Sequence, residues 1–158
     1  MPQGRVWQTV RSGGEARSDP FQLLVAEHEL LRAQLRRAQT GAHRADVQRL
    51  ADAARTHMHR ESRALHPMCE RLFGGPDGAV AVMREDHDAM QAELRSLEHA
   101  ATDSDSGGIM PRLEAFANHL EEHLAREERV LFPLMAALLS GSDAARLADR
   151  LRVDARKR

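Results

Sequence analysis

Two stretches of the chain write the same pattern. His57–Met58–His59–Arg60–Glu61 runs on to Leu65–His66–Pro67, and His123–Leu124–Ala125–Arg126–Glu127 runs on to Leu131–Phe132–Pro133, so both read H-x3-E-x3-L-x-P. An imidazole and a carboxylate four positions apart lie one above the other on a single helix face. Nitrogen and carboxylate donors at that spacing suit borderline-hard ions such as iron, and helix bundles build dinuclear centres from the same pairing. One copy would carry little weight in a chain with nine histidines. Two copies with matching Leu and Pro positions carry much more.

Positioning such pairs requires helices, and the composition suits them. The chain has 158 residues, enough for one domain with a buried core and no structural staples. Hydrophobic residues make up 42% but aromatics only 3%, so the core is built from Leu, Ala, Val and Met, which favours helices over sheets. A net charge of −1 provides no basic field for nucleic acid or an anionic membrane. The single Cys69 excludes an internal disulfide and fits a reducing compartment. No apolar run is long enough to span a bilayer, and the first residues lack a signal-peptide core. The expected location is cytoplasmic, as a monomer or weak homo-oligomer.

The pattern of apolar residues predicts an all-α fold. Residues 1–18 read as a flexible N-terminal arm, with Trp7 available to dock on the bundle or on a protein partner. Asp19–Pro20 is a helix start, and Phe21, Leu24, His28, Leu31 and Leu35 form the seam of the first helix. The second helix carries Val47, Leu50, Ala54, His57, Glu61, Ala64 or Leu65, Met68 and Leu72. Phe73–Gly78 is a loop. The third seam is Val80, Met83, His87, Met90, Leu94 and Leu97, and Thr102–Gly108 is a second linker. The fourth reads Ile109, Leu113, Phe116, Leu120, His123, Glu127, Val130, Leu134 and Leu138. Pro67 and Pro133 fall late in their helices, where they should kink or tighten the last turns. Residues 19–139 are thus expected to form an antiparallel up-down-up-down four-helix bundle. Residues 140–158 add a short amphipathic helix through Leu147 and Leu151, then a basic tail.

Each H-x3-E copy is the second half of a helical hairpin whose first helix places one His in mid-seam, His28 or His87. Four imidazoles and two carboxylates (His28, His57, Glu61, His87, His123 and Glu127) then converge on the bundle axis. That set is too rich for one zinc. It completes two octahedral ions only if the carboxylates bridge and solvent-derived ligands fill the remainder. The alternative is a metal-free polar layer in which His and Glu bond each other across the core.

The other histidines are expected outside this set. His59 is rotated by about 200° from His57 and His66 by about 180°, so both should face solvent; His99 lies about 120° from His87 and His43 is near a helix start, and neither is expected to be a ligand. His119 is one turn before His123 and only about 40° off its direction, which makes it a possible fifth imidazole at the edge of the site.

His28, H57-x3-E61, His87 and H123-x3-E127-x3-L-F-P, in that order on four helices, resemble the hemerythrin-like HHE cation-binding family over about residues 19–139. The resemblance implies an antiparallel four-helix bundle around two iron ions with an oxo or hydroxo bridge. It implies that His28 with His57 holds one iron, His87 with His123 the other, and that Glu61 and Glu127 bridge them. Oxygen-carrying hemerythrins have two histidines four residues apart on the third helix, and here Met83 and Gln91 stand on either side of His87 at that spacing. The four-His, two-Glu set resembles instead the members linked to iron-centre repair and to nitric oxide, oxygen or peroxide responses.

The reading that follows is a di-iron protein that binds or reacts with O2, NO or H2O2 in sensing or detoxification, within a dry pocket of Leu24, Leu31, Met83, Met90 and Leu120. The alternatives are a metal-dependent regulatory or binding module and an iron-donor or iron-centre repair protein. No nucleophile triad or phosphate loop is visible, so any turnover would have to occur at the metals.

Overall fold

The computed structural model describes residues 19–41, 43–102 and 108–155, and every described element is helical. The N-terminal arm with Trp7 and the tail Arg156–Arg158 lie outside the described residues. The helices are α1 (Pro20–Gly41), α2 (Arg44–Phe73), α3 (Ala79–Thr102), α4 (Ile109–Arg126), α5 (Phe132–Leu138) and α6 (Gly141–Ala155), with a π-helical segment, Glu127–Leu131, joining α4 to α5. None is long and apolar enough to cross a membrane.

The ends follow local chemistry. Asp19 caps α1 by accepting the Phe21 amide N–H on its carboxylate at 2.9 Å. Gly74 closes α2 at φ 84°, and its N–H donates to the Glu70 carbonyl. That left-handed position is one that glycine adopts without a side-chain penalty.

Successive helices pair along their length. As α1 advances from Glu27 to Arg37, its α2 partners retreat from His57 to Asp46. As α2 advances from Arg55 to Glu70, its α3 partners retreat from Glu98 to Arg84. As α3 advances from Asp86 to Ser96, its α4 partners retreat from His123 to Arg112. α4 also returns to α1 through Arg32 with Glu121, and the π-helical segment does so through His28 with Glu128.

Two apolar layers result. One joins Leu31, Leu35, Leu50, Met90, Leu94, Phe116 and Leu120. The other joins Phe21, Leu24, Leu65, Met83, Phe132 and Met135, and α6 seals it with Leu147 and Leu151. Along α1, α2 and α3, and along α4 continued through the π segment into α5, the layers lie on opposite sides of the candidate metal ligands, which are buried between them. The five pocket residues Leu24, Leu31, Met83, Met90 and Leu120 are all buried.

The seam of the fourth helix departs from expectation. Val130, Leu134 and Leu138 are exposed, whereas Leu131 and Met135, each one residue later, are buried. The π segment supplies the reason: an i→i+5 turn takes up one extra residue and advances the buried face by one position. Pro133, which has no N–H to give the α-helical ladder, lies directly beyond it in α5. Proline alone is not sufficient, because Pro67 sits inside a continuous 30-residue α2. The expected tightening is therefore a loosening in one copy of the pattern and no break in the other.

Candidate metal centre

His28, His57, Glu61, His87, His123 and Glu127 are all buried, and the structure brings them together. The His28 and His57 rings lie 4.9 Å apart, and the His87 and His123 rings also lie 4.9 Å apart. Glu61 sits between the pairs, with Oε1 at 3.2 Å from His57 Nε2 and Oε2 at 3.2 Å from His87 Nε2. Glu127 does the same from the opposite helix, with Oε2 at 3.3 Å from His28 Nε2 and Oε1 at 3.5 Å from His123 Nε2. Each carboxylate thus offers one oxygen to each imidazole pair. The four ligating atoms of His28, His57, Glu61 and Glu127 lie within 4.8 Å of one another.

All four carboxylate oxygens are inaccessible to solvent, and none has a hydrogen-bond partner; the same holds for Nε2 of His28 and of His57. Buried polar atoms normally find partners, and leaving so many without them would cost several kcal/mol. A metal-free polar layer predicts the opposite, a satisfied network. His87 Nε2 and His123 Nε2 lie 3.2 Å apart. Two nitrogens on adjacent positions of one ion, with metal–nitrogen bonds of about 2.1 Å, stand roughly 3.0 Å apart. The donors fit metal cations.

Outside this ring the sequence reading missed a shell of acids. His28 Nδ1 donates to Glu128 at 2.7 Å, His57 Nδ1 to Glu27 at 3.2 Å, and His123 Nδ1 to Asp86 at 3.2 Å. Each acid is also paired with an arginine: Arg32 on Glu128, Arg60 on Glu27 and Arg126 on Asp86. Although burial pushes Glu128 and Asp86 up, hydrogen bonds from Arg32 and His28 to the first, and from His123 to the second with Arg126 beside it, hold both below their usual range. An ionised acceptor on Nδ1 fixes the proton there and leaves the Nε2 lone pair facing inward. The signal in the sequence was an acid beside each lone His. The acid, however, serves a different helix: Glu27 adjoins His28 but holds His57, and Asp86 adjoins His87 but holds His123. Loss of such a partner typically weakens metal binding 10–100-fold. Asp86→Asn and Glu128→Gln should each do so in a metal titration while leaving two sites; unchanged affinity in both would contradict this role.

Burial, and after it the neighbouring His57, lowers His28 to about 4, and burial followed by His87 lowers His66 to about 4. Burial and then Glu61 push Glu127 well above its usual range. Glu61, despite its burial, is held well below that range by His57 and then by His123 and His87. Without metal, Glu61 is the ionised partner and Glu127 the protonated one. A depressed imidazole contributes stability that is complete above its ordinary 6.5 and is lost as pH falls toward 4. Glu127 acts in the other direction, gaining as pH falls toward 4.5. Two imidazoles outweigh one carboxyl, so the metal-free protein should melt at a lower temperature at pH 5 than at pH 7. Calorimetry that found the reverse would contradict these assignments.

The remaining histidines divide. His43, His59 and His99 are exposed, His59 as its helical angle requires. His119 is not brought into the cluster; its Nδ1 meets Glu93 at 3.1 Å and its Nε2 is 3.7 Å from Asp86. His66 corrects the sequence reading. It was expected to face solvent but is 1% exposed, and its ring stacks on His87 at 5.1 Å. Late in α2 the buried arc widens, because α3 and α6 cover faces that a single-seam helix leaves open. Ala64, Leu65, His66, Met68 and Cys69 are consequently all buried.

The profile of the hemerythrin HHE cation binding domain matches residues 19–135. Comparison with curated proteins and with solved structures gives no match.

Proposed function

The chain belongs to the hemerythrin HHE cation binding domain family, a metal-binding domain, and from that premise we propose that it is a non-haem di-iron protein acting on small oxidants. In this reading α1–α4 form an antiparallel up-down four-helix bundle, a topology supported by partners that retreat along one helix as they advance along the next. His28 and His57 would hold one iron and His87 and His123 the other, with Glu61 and Glu127 each able to offer one oxygen to each imidazole pair. The observation that carries the proposal is the four buried carboxylate oxygens without hydrogen bonds, aimed two by two at the imidazole pairs. When bound, the iron pair supplies a change of valence and an open position for O2, NO or H2O2.

The protein's own part is to hold the ligands, exclude water and keep protons in place. Leu24, Leu31, Met83, Met90 and Leu120 restrict access to small molecules. Glu27, Asp86 and Glu128 keep three imidazoles in the ligating tautomer and orientation. Titration of the reduced, iron-loaded protein with O2, NO and H2O2 should change its near-ultraviolet and visible spectrum at stoichiometric amounts of at least one of them. A spectrum unmoved by all three would contradict the proposal.

A metal-dependent regulatory role is favoured by one further observation. Phe132 stacks on His28 at 5.6 Å and shares an apolar layer with Leu147 and Leu151 of α6. Metal occupancy at His28 is therefore one ring removed from the packing of the C-terminal helix.

A further inference from the structure

We propose that His66 is a fifth imidazole ligand, which α2 contributes to the ion held by His87 and His123. The inference rests on the dinuclear reading above and assigns its second ion a donor that helical spacing excludes.

Three observations support it. His66 Nε2 is fully buried and has no hydrogen-bond partner. A ring nitrogen of His66 lies within 4.8 Å of the ligating atoms of both Glu61 and His87. The His66–His87 ring separation, 5.1 Å, is close to the 4.9 Å that separates the rings within each ligand pair.

The internal repeat supplies the control. In the twice-written pattern His66 stands where Phe132 stands in the other copy. The two rings play equivalent packing roles: Phe132 lies against His28 with planes 27° apart, and His66 against His87 with planes 28° apart. A hydrocarbon ring meets that packing need in one hairpin without burying a polar atom. In the other, an imidazole places an unpaired nitrogen beside the cluster, which is unfavourable unless something accepts its lone pair or its proton. A second asymmetry falls at the same ligand. Ser62 stands where Glu128 stands in the other copy and donates its hydroxyl to the Met58 carbonyl at 2.9 Å. His87 Nδ1 is consequently buried without a partner. The ion at His87 thus gains a nitrogen donor while its ligand lacks the acid that orients the other three. The two ions are inequivalent, with three imidazoles on one and two on the other. The position open to a small molecule then falls on the ion held by His28 and His57.

The test uses the full chain loaded with Co2+, whose paramagnetism shifts the exchangeable N–H proton of each bound imidazole well outside the normal proton spectrum. The wild-type protein with two Co2+ should show five such signals. His66→Phe, which installs the ring of the other copy, should remove one of them. It should also weaken the second Co2+ at least tenfold, leave the first unchanged, and leave the metal-free melting temperature equal or higher. Four signals in a wild-type protein that binds two Co2+ would overturn the inference and leave the dinuclear reading standing. Failure to bind two Co2+ would overturn both. If His66→Phe does not fold, the wild-type count alone decides.

Discussion

Glu61→Ala should take the iron content from two ions per chain to near zero, a larger loss than removal of any single imidazole. Glu61 approaches three of the candidate ligands, at 3.2 Å from His57, 3.2 Å from His87 and 3.9 Å from His123. Its two oxygens face different imidazole pairs, so one substitution removes a donor from each ion. It also removes the negative charge that offsets two cations in an apolar layer. His57→Ala, by contrast, strips one donor from one ion, and the His87–His123 half should retain part of its metal. Elemental analysis after anaerobic reconstitution separates the cases. Two ions retained by Glu61→Ala would mean that the carboxylate does not bridge.

The second large effect is on stability. Removing iron with a chelator should lower the melting temperature by roughly 10 °C, because a ligand at a thousandfold excess over its Kd contributes about 4 kcal/mol and each kcal/mol moves a domain of this size by about 2–4 °C. The metal-free state leaves Glu61 and Glu127 buried without hydrogen bonds, and only protonation of Glu127, pushed up by burial and by Glu61, relieves their repulsion. Restoring iron should restore the lost degrees. Identical melting curves for the chelated and loaded protein would remove the link between metal and fold.

Much of this was legible in the residues because helices turn a spacing into a face. The seams of α1 and α3, the helix start at Asp19 and the burial of all six candidate ligands follow from local chemistry and the 3.6-residue period. The same period fails where the helix departs from it or acquires extra neighbours. Beyond Glu127 the π segment moves the buried face by one residue, and no local signal separates Pro133 from Pro67, which leaves its own helix α-helical. His66 was misplaced because burial late in α2 is decided by α3 and α6 packing on it, which a single-helix angle does not contain. The orienting acids were visible as residues but not as partners. Glu27 and Asp86 reach across to His57 and His123, a relation that exists only once hairpins are formed. His119, a possible edge ligand by spacing, stays outside the cluster for a similar reason. Glu93 and Asp86 hold it at the rim, 23% exposed, although its angle lies near that of His123.

In the proposed centre, six residues, His28, His57, Glu61, His87, His123 and Glu127, hold two ions together. It is tested most directly by the metal-to-protein ratio of the wild-type chain as ferrous iron is titrated into the metal-free protein without oxygen. Saturation is expected at two irons per chain. Saturation at one, or no uptake, would contradict it.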